Sequence, residues 1–450
     1  MAWTLTLGQI RKILQTNPLD LSAQEQQKLT TGVSTDTRTL KPGEVFLALE
    51  GEKFDGHDFA TLAIAKGAIA LVVSRRLSLA ETVPQLIVPD TLEAYQTLAS
   101  WWRDRFNIPV IAVTGSVGKT TTKELLAAVL STQGRVLKTE ANYNNEIGVP
   151  KTLLELAPED NYAVIEMAMR AAGEIGLLTE ITRPTIGIIT NVGTAHIGRL
   201  GSQKAIAQAK CELLAQMPDS AVAILNYDNK LLLDTAATVW QGKTITYGLT
   251  GGDIHGELID NNTLRINGQD FPLPLPGNHN ASNYLAAIAT AQVLEIDING
   301  LTNSLTVELP KGRSRRYQLA NDVVILDETY NAGLESMLAA LQLLKETPGK
   351  RHIAVLGTMK ELGEHSAKFH QQVGEMVQQL QIDLLLVLVD EPETEAIAAA
   401  ASGIPSECFQ QREDLVIRLR EIIQEGDRLL FKASNSVGLS QVVEQLRLTI

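Results

Sequence analysis

Two cysteines, Cys211 and Cys408, are all that the 450-residue chain holds, so neither a disulfide framework nor a cysteine-rich zinc site can be built from it. Positive charge is also scarce. Lys and Arg number 39 against 52 Asp and Glu, a formal net charge of −13, which argues against a broad nucleic-acid surface but leaves room for a small phosphate pocket. No uninterrupted apolar stretch reaches the roughly 18 residues of a spanning helix, so no membrane span is expected. The opening residues, Met1–Leu7, lack the basic region and apolar core of a secretory signal. No short repeat or long low-complexity tract occurs. These absences lead to the expectation of a soluble cytoplasmic protein.

What the chain does have is apolar content, 44% of its residues, ample for several cores. Its length suits two to four domains of roughly 150 residues. The patterning divides into three α/β units, 1–107, 108–309 and 310–450. In the first, Leu7–Leu14 predicts a short helix, Gly43–Leu49 a turn into a strand, Phe59–Lys66 a helix and Ala68–Val73 a buried strand. The second opens after Pro109, which lacks an N–H and suits a strand's entry. Its apolar runs at Val110–Val113, Tyr162–Ile165, Ile186–Thr190 and Ala221–Leu225, separated by helical segments, predict a mostly parallel sheet covered by helices. Asp253–Leu273 breaks that rhythm with short alternating pieces around Asn267-Gly268, a hairpin insertion. The third unit repeats the α/β pattern with strands at Val323–Leu326, Ile353–Leu356, Leu384–Val389 and Leu429–Phe431.

The most informative segment is Thr114-Gly115-Ser116-Val117-Gly118-Lys119-Thr120-Thr121. An apolar strand feeds it and a helical pattern, Thr122–Ser131, follows. That order builds a cradle for nucleotide phosphates, in which backbone N–H groups face the oxygens. In such a cradle Lys119 can reach the outer phosphates and the Thr120 hydroxyl can hold Mg²⁺. The loop departs from the standard pattern, with Val113 where the first glycine is usual. ATP and GTP are both compatible with it.

Other polar residues fall at strand exits, where ligands bind in α/β sheets. Glu166 follows Ala163–Ile165 and suits Mg²⁺ coordination, or else a helix cap or salt bridge. His196 enters the same crevice as a ligand or as a hydrogen-bonding histidine. Lys210, in a helical stretch, is either a solvated ion-pairing lysine or part of the site. Asn226 and Asp228 follow Ala221–Leu225, and Asp228 either joins the metal network or makes an Asx turn. Asn280 and Asn283 share a helix face at i,i+3, suited to base recognition or to capping. In the third unit Asp327–Ala332, with Lys360, His370, Lys432 and Ser434, suggests a second substrate surface, or the polar turns that any strand end carries.

Taken together, these motifs resemble the Mur ligases, ATP-dependent peptide ligases of bacterial cell-wall synthesis, and the resemblance spans all three units. It rests on Ser34-Thr35-Asp36-Thr37-Arg38, Asp55-Gly56-His57, Asn142–Pro150, Pro276–Asn283, Ala209–Glu212, Arg313, Asp327–Ala332 and Leu356–Gly363. It is closest to the branch that joins D-alanyl-D-alanine to UDP-N-acetylmuramoyl-tripeptide; the Asp-Asn-Pro-Arg signature of the diaminopimelate-adding branch is missing. The resemblance implies a three-domain α/β fold, with a central P-loop parallel sheet and a C-terminal Rossmann-like domain. It implies Mg²⁺ on Thr120, Glu166 and His196, and ATP held by residues 115–121 (Gly115, Ser116, Val117, Gly118, Lys119, Thr120 and Thr121) with Asn280, Arg313 and Asp327. Lys119, Glu166, His196 and Lys210 would be catalytic, with Lys210 a candidate for carbamylation. The tripeptide and dipeptide would meet Ser34, Asp36, Arg38, Asn142, Asn144, Asn145, Tyr330 and Asn331. Thr358 and Asn435 stand where an acidic and a basic residue are common. A monomer acting on small molecules is expected. A Mur ligase adding a diamino acid, a folylpolyglutamate-type ligase and a nucleotide-controlled binding protein are the competing readings.

Overall fold

A computed structural model of the chain describes residues 3–448, apart from 4, 18–20, 52, 81, 82, 303 and 304. Three sheets organise it. The first is a small parallel sheet of β1 (Val33–Ser34), β2 (Val45–Leu47), β3 (Ala70–Val73) and β4 (Gln85–Ile87), in that spatial order. The predicted helix at Leu7–Leu14 is present as Leu7–Ile13, started by a capping box between Thr6 and Gln9.

The large central sheet holds β5 (Val110–Thr114), β6 (Arg135–Lys138), β7 (Asp160–Glu166), β8 (Ile186–Ile189), β9 (Val222–Asn226), β10 (Lys243–Gly248), β11 (Ile254–Asp260), β12 (Thr263–Ile266) and β13 (Gln269–Pro272). Its spatial order is β13-β12-β11-β10-β9-β8-β5-β7-β6. From β6 to β11 all pairings are parallel. Parallel strands need both faces covered, and every residue of β5 is buried. Ile111 and Val113 pack with Leu125, Leu126 and Val129 of the helix Lys119–Leu130 and with Tyr284 and Leu285 of the helix Asn278–Val293. Val110 and Ala112 face the other way, into the core shared with Leu153, Ile175 and Leu214. The predicted hairpin insertion is an antiparallel meander, β11-β12-β13, that lengthens this sheet. Asn267 (φ 51°) and Gly268 (φ 80°) turn it with the left-handed backbone a two-residue hairpin needs.

The third sheet runs β14-β15-β19-β16-β17-β18, from β14 (Arg315–Gln318), β15 (Val324–Asp327), β16 (Arg351–Gly357), β17 (Leu384–Leu388), β18 (Ser406–Phe409) and β19 (Asp427–Lys432). Only β14 is antiparallel, on the edge. The helix Thr91–Arg103, before the central sheet in sequence, packs onto that sheet's helices. Trp102 donates its indole N–H to Leu156 O (3.0 Å), and Arg103 donates to the carbonyls of Thr182 and Arg183 (2.9 and 3.0 Å).

These topologies position one place above all. Strand order reverses at β5, with β7 on one side and β8 on the other. A crevice opens at the carboxyl ends of strands at such a point.

Candidate active site

Gly115 (φ 152°) and Gly118 (φ 83°) shape the loop leaving β5. A Cβ on Gly115 would lie 1.8 Å from Thr190 Oγ1, and one on Gly118 would lie 2.5 Å from Asn283 Oδ1. Neither position admits a side chain. The helix Lys119–Leu130 then begins without a side-chain cap, leaving its first amides for an anion. Ser116 and Val117 behave otherwise. Their amides donate to Asn191 O (3.1 Å) and Asn191 Oδ1 (3.0 Å), and Ser116 Oγ accepts from the Gly193 amide (2.9 Å). They tie the loop to the segment after β8, and the amides facing an anion are those of the helix start. Lys119 Nζ rests on Gly115 O at 2.9 Å. Loss of water around its ammonium lowers its pKa, with Glu166 opposing.

Glu166, at the end of β7, is almost fully buried. Its Oε2 accepts from Thr120 Oγ1 (2.8 Å), its Oε1 from Asn144 Nδ2 (2.7 Å), and its amide donates to Thr139 Oγ1 (3.0 Å). His196 adopts a left-handed backbone (φ 65°) after β8, with Nδ1 2.7 Å from Glu361 Oε2. Desolvation and the Lys119 charge lower its pKa against the pull of Glu361. The neutral imidazole this favours is the ligand form. Two hard oxygen donors in mutual contact and a neutral imidazole on the same cavity wall fit Mg²⁺.

Lys210 lies in the helix Gln203–Gln216 and is 2% exposed. Among the described residues its Nζ makes no hydrogen bond or ion pair. Burial first, then the charge of Lys119, lowers its pKa well below the ordinary value of 10.5. Lys210 is therefore not the solvated, salt-bridged lysine of the simpler reading; it is a buried amine whose surroundings disfavour its charge. Asn280, 1% exposed, donates Nδ2 to Pro276 O at 2.8 Å while its Oδ1 is buried without a partner. Asn283 instead accepts from Thr122 Oγ1 (3.2 Å), beside Gly118.

A cavity of about 1310 Å³ gathers residues from all three units. Ser34, Asp36 and Arg38 line one wall, Asn142, Asn144, Asn145, Lys119, Glu166 and His196 another, and Arg313, Tyr330 and Asn331 the third. Arg38 grips the Asp36 carboxylate through Nε and Nη2 (3.0 and 2.7 Å) and holds its pKa down. Asn145 Oδ1 also accepts from the Gly148 amide, at the start of the helix Gly148–Leu154, at 2.9 Å. The Arg313 guanidinium stacks 3.7 Å from the Tyr330 ring centroid. Asp327 is off the cavity wall; its Oδ1 accepts from Thr329 Oγ1 (2.6 Å) and the Thr329 amide (3.1 Å), and burial raises its pKa.

Several expectations end in structural roles. Asp228 does not reach the metal segment; it binds the amides of Leu249 and Thr250 (2.7 and 3.0 Å). His370 is fully buried, accepting from the Met359 amide at 2.9 Å and donating to Ser366 O at 2.8 Å. Lys360 pairs with Asp390 and Glu391 (2.6 and 2.7 Å), and Lys432 donates to Asn331 O (3.0 Å). These groups brace the third sheet's loops rather than form a separate surface. Thr358 is buried and bonds Asp390. Asn191, Glu335 and Glu361 hold the loops around Ser116, Thr194 and His196; Glu361 falls within the Leu356–Gly363 segment, but nothing in the sequence marks a role for any of the three.

Such an arrangement defines a P-loop enzyme that works across a cleft between α/β bodies. Family models match along the chain: "Mur ligase family, catalytic domain" over residues 30–103, "Mur ligase middle domain" over 113–291, and "Mur ligase, glutamate ligase domain" over 312–435. The chain belongs to the Mur ligase family. It is 60% identical to the UDP-N-acetylmuramoyl-tripeptide–D-alanyl-D-alanine ligase of Synechocystis sp., across 98% of this chain and 97% of that one. Among solved structures it resembles MurF from Acinetobacter baumannii (TM-score 0.90, 30% identity, all of both chains). It also resembles MurF ligase from Thermotoga maritima in complex with ADP (TM-score 0.83, 30% identity, 93% and 97% of the two chains).

Proposed function

We propose that the chain ligates D-alanyl-D-alanine to UDP-N-acetylmuramoyl-tripeptide at the expense of ATP, in peptidoglycan precursor synthesis. The observation that carries this reading is the single cavity that joins the phosphate-loop lysine to polar walls from the two flanking sheets. One wall suits the UDP-sugar, the opposite wall the incoming dipeptide.

A carboxylate is a poor electrophile and its oxygen a poor leaving group, so it must be activated. The terminal carboxylate oxygen of the tripeptide attacks the γ-phosphorus of ATP. The bond to the β,γ-bridging oxygen breaks, and ADP and an acyl phosphate result. The free amine of D-alanyl-D-alanine then attacks the acyl carbon, loses a proton and expels inorganic phosphate. Lys119 and the uncapped helix start stabilise charge on the transferring oxygens. Thr120, Glu166 and His196 would hold Mg²⁺, which when bound neutralises phosphate charge. Asn144 steadies the Glu166 carboxylate. The partnerless Oδ1 of Asn280 is an acceptor suited to the amino group of adenine rather than the carbonyl of guanine, which supports ATP. A neutral amine is the form of lysine that takes up CO₂, so the buried Lys210 supports carbamylation; the product anion would add to the metal network. The reading carries with it a cytoplasmic monomer that needs no nucleic acid.

Ligation with purified enzyme, ATP, Mg²⁺, UDP-N-acetylmuramoyl-tripeptide and a panel of amines tests it. Product is expected with D-alanyl-D-alanine. Product with a single amino acid and none with the dipeptide would reject the specificity, and ATP binding without ADP formation across the panel would reject catalysis.

A further inference from the structure

The segment that carries His196 is held from outside its own domain. Two carboxylates of the C-terminal body close on it. Glu335, in the first turn of the helix Leu334–Glu346, accepts from the Thr194 amide (2.7 Å) and Thr194 Oγ1 (3.0 Å). Glu361, in the loop after β16, meets His196 Nδ1 through Oε2 (2.7 Å) and Arg199 Nη2 through Oε1 (3.0 Å). Its carbonyl accepts from the Gly198 amide at 3.2 Å. The two backbones touch here: a Cβ on Gly198 would lie 2.6 Å from Gly363 N and 2.8 Å from Glu361 O. Glu361 itself sits at φ 64° and Gly363 at φ 55°, a loop bent to bring its carboxylate and its carbonyl to one neighbour.

We propose that Glu361 is a positioning residue that aims His196 at the metal, and that it does so only when the central and C-terminal bodies are closed on one another. The inference rests on the reading of His196 as a metal ligand. A histidine ligand takes its orientation from the partner on its other ring nitrogen. With Nδ1–H donated to Glu361, the lone pair of Nε2 is left for the ion. Because donor and acceptor come from different domains, closure and ligand orientation are one event. Phosphoryl transfer is then withheld until the wall that receives the amine is in place, and the acyl phosphate does not form in an open cleft.

The test uses the full chain, Mn²⁺ as a paramagnetic replacement for Mg²⁺, and β,γ-methylene ATP, which cannot transfer its terminal phosphoryl group. Glu361→Ala should weaken Mn²⁺ binding about 10- to 100-fold, and diminish the nitrogen modulation that imidazole imposes on the Mn²⁺ spin-echo spectrum. Glu361→Gln keeps an acceptor for Nδ1–H and should recover most of both. In a His196→Gln background, Glu361→Ala should have no further effect. Wild-type Mn²⁺ affinity in Glu361→Ala, or an equal loss in the His196→Gln background, would overturn the proposal. Unchanged affinity and spectrum in His196→Gln alone would instead remove the metal reading, and this proposal with it.

Discussion

The charge of Lys119 acts on Lys210, yet the two lysines face opposite requirements. Lys119 must stay cationic beside phosphate, and Glu166 supports that. Lys119→Ala is expected to lower kcat about 10²- to 10³-fold, as loss of one preorganised donor does, with little change in KM for the dipeptide; steady-state kinetics decide it, and an unchanged kcat would remove Lys119 from phosphoryl transfer. Lys210 is the reverse case, an amine whose burial disfavours its charge. Its folded pKa lies below its unfolded value near 10.5. Between the two the unfolded chain binds more protons, so this residue makes stability rise with pH across that window. In CO₂-free buffer, Lys210→Met should flatten the rise of melting temperature with pH on the alkaline side. A slope identical to the wild type's would show that burial does not depress the pKa of Lys210.

Among elements, what the sequence made legible was the interior. β5, β7, β8, β9, β16, β17 and β19 each contain an apolar run because both faces of a parallel sheet are covered, and the glycine loop between strand and helix announces itself. Most strands that escaped notice are at the edges; β10, inside the sheet between β9 and β11, escaped as well because Lys-Thr-Ile-Thr-Tyr-Gly holds no continuous apolar run. β6 reads Arg-Val-Leu-Lys and β18 Ser-Glu-Cys-Phe, half exposed, and β14 is an antiparallel edge of mixed polarity. An edge strand is under pressure to look unlike a strand. The same logic divides the site. Gly115, Lys119 and Glu166 are written in local order, whereas the partners of Glu166 and His196, Asn144 and Glu361, are 22 and 165 positions away and become neighbours only through topology. Asn267-Gly268, by contrast, is purely local. Gly268→Ala meets no atom within 4 Å, so only its left-handed backbone is penalised, by about 1 kcal/mol. Denaturant unfolding should show that loss with unaltered kcat, and a loss of several kcal/mol would mean the turn carries tertiary load.

For the whole molecule, function depends on three bodies meeting at one cavity. The first is bolted to the second through Trp102 and Arg103. The C-terminal body meets the central one partly through the backbone contact of Gly198 and Gly363. A methyl group on Gly198 would push that body back. Misplacing reacting groups by about 1 Å can lower a rate by roughly 10²-fold, so Gly198→Ala should reduce kcat by about that factor while nucleotide binding to the central domain persists. Small-angle scattering in the presence of both substrates should show a larger radius of gyration than the wild type's. Wild-type rate and dimensions would mean that this contact is incidental to closure.

The central step of the proposed reaction is the activation of a carboxyl group by phosphoryl transfer. Oxygen-18 placed in the terminal carboxyl of UDP-N-acetylmuramoyl-tripeptide reports on it directly, because the bridging oxygen of an acyl phosphate leaves with phosphorus when the amine attacks. One labelled oxygen per turnover is expected in the inorganic phosphate, read by mass spectrometry or the phosphorus NMR isotope shift. Peptide bond formation with phosphate free of the label would contradict it.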